Sequence, residues 1–201
     1  MNHTLQRFVT ELPEQTDRLV GIDGAAEQIA TSANRVVTAR TLYAQSLGTV
    51  ARFVRFFALR NSQDRPIYDL FFASNNDLGH YKMKEAMWKA DETGAFSFSD
   101  GVDPGQATLF SKDAPSDFAP QLAEHFDRQT VYWEHVRTYT RDATPFLDKH
   151  AHDALKLLEA EGGFKGYAIR VDETKADGMP RKRNTYPVGT RITFRTEGKN
   201  G

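Results

Sequence analysis

The chain has 201 residues, a formal net charge of −1 and no cysteine, which excludes disulfides, thiolate metal sites and a cysteine nucleophile and shows no whole-chain bias toward polyanions. No apolar run approaches the roughly 18 residues that a membrane span needs, and the opening MNHTLQRF lacks a basic-then-apolar leader pattern. The expectation is a cytoplasmic protein of one large or two small domains, with no membrane partner.

Taken in order, Leu5, Phe8, Val9 and Leu12 fall at helical spacing before Pro13, which should stop a first short helix. Ile29, Val36, Val37 and Tyr43 predict a helix over 25–46 that meets Gly48. Two apolar runs follow, VARFVRFFAL (50–59) and IYDLFFAS (67–74), and they should pair as an antiparallel hairpin with apolar residues on both faces. Asn75, Asn76 and Asp77 offer caps for a helix over 78–89, with Trp88 on its apolar stripe. Gly, Asp, Ser and Pro dominate 93–116, so the domains are drawn as 1–95, a linker over 96–116, and 117–201.

The last third is the most informative stretch. After a helix over 118–126, VYWEHVRTYT predicts a helix burying Tyr132, Val136 and Tyr139, with Trp133 also in the core. A turn, RDATP, leads to a longer helix that Thr144 should cap, Pro145 should open and Gly162-Gly163 should end. Along it Leu147, Ala151, Ala154, Leu155 and Leu158 draw an apolar stripe, which at about 100° per residue turns Lys149, His152, Asp153 and Lys156 outward. A strand (FKGYAIRVD), a basic polar excursion and a closing strand (RITFR) complete the order of a winged helix-turn-helix. From 181 to 195 the excursion holds Arg181, Lys182, Arg183, Arg191 and Arg195 with no acid, a composition suited to phosphate.

The expected DNA-contacting set is therefore Lys149, His152, Lys156, Arg181, Lys182, Arg183 and Arg191, with Asp148 and Asp153 opposing it on the helix. A solvated hairpin beside a protein-docking helix pair is the alternative. No nucleophile elbow is present, the two glycine-bracketed turns around Gly21 and Gly105 lack a nucleotide-binding setting, and His150 and His152 project to different helix faces. No catalytic, cofactor or metal residue is expected, and His150 is expected as a hydrogen-bonded core imidazole.

The segments PIYDLFFASNNDLGHYKMKEAMWKAD, FSFSD, TPFLDKHAHDALKLLEAEG and TYPVGTRITF resemble the bacterial three-Cys-motif partner proteins over about residues 52–194. That resemblance implies an α+β chain: N-terminal helices with an antiparallel β-hairpin, which is part of a methyltransferase-like sheet, followed by a winged helix-turn-helix. It also implies that the glycine-rich S-adenosylmethionine turn lies upstream of Met1 and is missing, so no small-molecule crevice is expected from the residues before Asn76. The function expected is a non-catalytic protein contacting duplex DNA, within a bacterial defence, phage or mobile-element setting. The alternatives are an adaptor or inhibitor subunit whose hairpin domain docks on a partner or a second copy, and one half of a split methyltransferase.

Overall fold

In the computed structural model, which describes residues 2–61, 63, 66–91, 97–99 and 113–196, proline and glycine decide where the first helices break. Pro13 does end α1 (Asn2–Glu11), but it also opens α2 (Pro13–Val20), because proline's missing N–H costs nothing in a first turn. Gly21, at φ +77°, closes α2 where any Cβ would stand 2.5 Å from the Ser46 hydroxyl. The Asp17 carboxylate of α2 then accepts hydrogen bonds from the backbone of Gly24 and Ala26, tying it to the start of α3 (Ala25–Thr31). The expected single helix over 25–46 is thus two, α3 and α4 (Arg35–Gly48). Ser32 adopts an extended backbone and the Asn34 side chain caps Val37 N–H, so local side-chain bonding wins over helix continuation. Val9, Val20, Ala25, Ala26, Ile29 and Leu42 form the buried core of this helical layer.

The hairpin is present as expected, with β1 (Phe53–Arg60) and β2 (Pro66–Ser74) antiparallel in a register that sets Phe56 opposite Phe71. Each apolar face packs on a helix in part, while Ile67, Tyr68 and Leu70 of β2 stay about half exposed. On one, Arg40 of α4 lies over Phe56 at 4.4 Å and Tyr43 meets Phe71 edge-on; on the other, α5 (Asp77–Ala90) stacks His80 on Phe53 at 4.2 Å. Asn76 caps α5 through Gly79 N–H, and Asn75 bridges Arg52 N–H and the Val50 carbonyl across the hairpin mouth. Within the stretch read as linker, β3 (Ser97–Ser99) adds to β1 in parallel, giving the order β2-β1-β3. Residues 100–112 lie outside the described residues.

These elements make one of two units; the other spans 113–196. It contains α6 (Ala114–His125), β4 (Thr130–Tyr132), α7 (Trp133–Ala143), α8 (Asp148–Glu159), β5 (Tyr167–Val171) and β6 (Arg191–Thr196). Over the described residues the chain is therefore α+β, with eight helices and two small sheets. The α8 stripe is buried as its spacing requires, with Ala151, Ala154, Leu155 and Leu158 at 0% exposure. Phe118 of α6 stacks on Phe146, and Phe126 packs on Phe194 of β6. His150 is buried and its Nδ1 accepts Leu147 N–H at 3.2 Å, the core imidazole expected of it.

Three boundaries differ from the expectation, the third being the strand read over FKGYAIRVD, which begins only at Tyr167. Thr130, Val131 and Tyr132 are not helical but pair antiparallel with Arg191, Ile192 and Thr193, so Tyr132 is 47% exposed rather than buried. β-branched and aromatic residues suit that pairing, and the strand partner is remote in sequence. Thr144 is not the N-cap of α8: its hydroxyl donates to the Thr140 carbonyl and accepts Phe146 N–H, and α8 starts at Asp148 with Leu147 at the N-cap position. After α8, Gly163 at φ +65° sits where a Cβ would meet the Tyr167 carbonyl at 2.2 Å, which only glycine tolerates. Lys165 and Gly166, both at positive φ, then turn the chain back as a two-residue type I′ turn does.

Candidate nucleic-acid interface

The C-terminal end of α8 organises the surface that the sequence marked as basic. Glu159, its last residue, accepts hydrogen bonds from Arg181 on Oε1 and from the Tyr186 hydroxyl, at 2.8 Å, on Oε2. Both members of the ion pair are nearly sealed from water, the Arg181 side chain at 6% exposure and that of Glu159 at 9%. Three further Arg181 hydrogen bonds go to carbonyls, Nε to Asp172 O at 2.8 Å and Nη1 to Thr185 O at 2.9 Å and to Lys182 O. Arg183 adds a hydrogen bond to the Glu159 carbonyl, where a cation also complements the helix dipole. Breaking such a buried pair by removing one partner costs about 3–5 kcal/mol.

The other leg of the loop is fastened by α7. Glu134 Oε1 accepts Gly189 N–H at 2.7 Å, and Trp133 N–H donates to the Thr190 carbonyl. Between the legs, Arg181 N–H donates to Glu173 O and Lys175 N–H to Met179 O, so the loop narrows into a short hairpin of its own. The stretch 172–190, read as a polar excursion, is thus held at Arg181, Tyr186 and Gly189 by two helix carboxylates.

Placed on this frame, the seven expected residues separate. Lys149 is exposed on α8, and so are Lys182 and Arg183 in the loop and Arg191 on β6. Arg181 is turned away from an external phosphate, because its side chain is nearly sealed from water and four of its five N–H donors are taken within the unit. His152 is partly withdrawn as well, its ring edge-on to Tyr186 at 5.1 Å and near Trp133. Lys156 donates to Asp153 at 2.8 Å; that hydrogen bond holds the Asp153 carboxyl below its ordinary range, against the opposing effect of burial. Asp148 is likewise answered, clamped by Arg141 of α7 through Nε at 3.0 Å and Nη2 at 2.5 Å. The repulsion expected from Asp148 and Asp153 is therefore largely neutralised inside the unit.

Alternation along the strands places further cations outward. Ile192, Phe194 and Val171 are buried, so Arg191 and Arg195 of β6 and Arg170 of β5 lie on the opposite sheet face. Arg170 was missed from sequence although its position between Ile169 and Val171 signalled an outward strand residue. Glu159 carried no comparable signal, since its partners are remote in the chain.

The other unit holds a cleft of about 650 Å³ between α1, α2, α4 and β2, lined by Phe8, Leu19, Val36, Tyr43, Ile67 and Phe71 among others. All of its lining precedes Asn76, which corrects the expectation that no crevice forms there; it is the gap between helices and a sheet edge that no local pattern announces. Its one ion pair, Arg40 to Asp69 at 2.8 Å, is closed on itself, and no glycine lines it. Among the described residues no group of three or more His, Cys, Asp or Glu could hold a metal, and no helix is long and apolar enough to cross a membrane. The chain matches no family model, no curated protein and no solved structure, so the family expectation rests on the quoted residues alone.

The Glu159 cluster has a measurable pH signature. Burial, then the hydrogen bond to Glu159, pushes the Tyr186 phenol above its ordinary value of 10.0. Above that pH the unfolded chain loses this proton while the folded one keeps it, so stability falls as pH rises, and below it nothing is lost. Thermal melts of this protein between pH 9 and 11 should show that decline, and Tyr186→Phe should flatten it; an unchanged slope in the variant would mean the phenol is not the titrating group.

Proposed function

We propose that residues 113–196 form a winged helix-turn-helix that binds duplex DNA, with α7 and α8 as the helix pair and 172–190 as the wing. The order helix, strand, helix, helix, strand, strand, with the sheet arranged β4-β6-β5, supports that assignment. The observation that carries the binding reading is the fastening of the loop to the end of α8. It presents Lys182 and Arg183 outward from an ordered support, on the same unit as Lys149, Lys156 and Arg191. Cations on an ordered loop cost less chain entropy on meeting phosphates than cations on a loose one, because the backbone that carries them is already fixed. Arg181 supports the loop instead of touching DNA. Nothing in this role needs catalysis, and the protein acts as a binding protein.

Because binding by phosphate contacts releases counterions, affinity falls as salt rises. Replacing Lys182, Arg183 and Arg191 together by alanine should weaken duplex binding and reduce the steepness of the log-log salt dependence by roughly 2–3. Fluorescence anisotropy across a salt series checks this, and unchanged affinity and slope would refute it.

A second reading draws on the other unit. β2 is a sheet edge, and Ile67, Tyr68 and Leu70 on it are 47%, 54% and 53% exposed. An edge strand with apolar side chains is suited to pairing with another chain, here a second copy or a protein partner. Light scattering coupled to size exclusion should then give a dimer mass that Leu70→Lys converts to monomer; a monomer for the unaltered protein removes self-association.

A further inference from the structure

β5 is the outer strand of its sheet, hydrogen-bonded to β6 on one side only. Beside it lies a cleft of about 400 Å³ whose lining includes Arg170, Arg181, Arg183 and Arg195 together with Glu159 and Glu173. Arg181 and Glu159 cancel each other in their buried pair. What remains is three guanidinium groups, on β5, on the loop and on β6, against the single carboxylate of Glu173. Arg170 and Arg195 have no ion pair or side-chain hydrogen bond among the described residues, and both are exposed.

Guanidinium groups crowded into one cleft repel one another unless an anion lies between them. A planar fork of donors matches the oxygens of a phosphodiester, and three forks converging from different elements match successive or bridging phosphates better than a single carboxylate. The cleft borders the loop proposed as the wing, since Arg183 belongs to both. The geometry points to this cleft as a second phosphate-backbone contact, in which Arg170 and Arg195 seat phosphates of the same DNA duplex beyond those met by Lys182 and Arg191. The inference rests on the DNA-binding proposal and extends its footprint to the β5 edge.

The test is duplex binding over a salt series, with Arg170→Ala/Arg195→Ala set against Arg170→Lys/Arg195→Lys in the full chain. Both side chains are exposed, so neither variant should alter the far-ultraviolet circular dichroism. The alanine pair should lower affinity several-fold and reduce the salt slope by about 2, one counterion contact for each charge removed. The lysine pair should keep the slope while losing part of the affinity, because the charge survives and the fork does not. If the unaltered protein fails to bind duplex, the functional proposal and this inference fall together. If it binds and the alanine pair leaves affinity and slope intact, this inference alone is overturned. Loss of binding to polyglutamate with duplex binding intact would also overturn it, by assigning the cleft to acidic peptide.

Discussion

One carboxylate, at the end of α8, sets the shape of the C-terminal unit. Glu159 takes a guanidinium on one oxygen and a phenol on the other, both from a loop that would otherwise be a run of turns and charges. A buried ion pair is weak evidence of net stability, since desolvation offsets most of the attraction. Its contribution is to selectivity among conformations: any arrangement that withdraws Arg181 leaves a charge stranded in a nearly dry site. The Arg181 bonds to the Asp172 and Thr185 carbonyls then spread that single constraint over both sides of the loop. The exposed cations inherit their positions from it.

Helix packing makes the constraint effective. α8 is held rigid because its stripe of alanine and leucine is wholly buried, and because Arg141 clamps its first residue to α7. The same α7 supplies Glu134 to the far leg of the loop. Two helices thus present one carboxylate each to a single loop. The N-terminal unit uses a related device, the Asp17 carboxylate accepting from Gly24 and Ala26 to fix a helix start. There the result is a helical layer against a small sheet, with an apolar cleft where α1, α2, α4 and β2 fail to close upon one another.

Legibility in the sequence followed locality. The hairpin, α5 and the α8 stripe were readable because a period of two or of 3.6 residues is written into neighbouring positions. The break after Thr31 was not, because Ser32 and Asn34 act by side-chain bonding that competes with an otherwise acceptable helical pattern. Val131 and Tyr132 carried helical spacing yet became part of a strand, since β6 lies some sixty residues away and pairs with them across that distance. Arg181, Lys182 and Arg183 are three consecutive cations, and nothing in their neighbourhood along the chain distinguishes the two arginines. Which one turns inward is decided by where Glu159 arrives, 22 residues earlier in the chain. The phosphate-contacting set expected from composition therefore included one arginine that is buried in an ion pair and left out the exposed Arg170 and Arg195.

The central claim is that Glu159 serves the proposed DNA contact through order rather than charge. The direct measurement is the duplex affinity of Glu159→Gln at fixed moderate salt, at a temperature where the variant remains folded. Removing an acid from a basic surface should strengthen binding by charge alone. The account predicts weaker binding, because Arg181 loses its counter-charge and the loop its fixed position; affinity equal to or above that of the unaltered protein would contradict it.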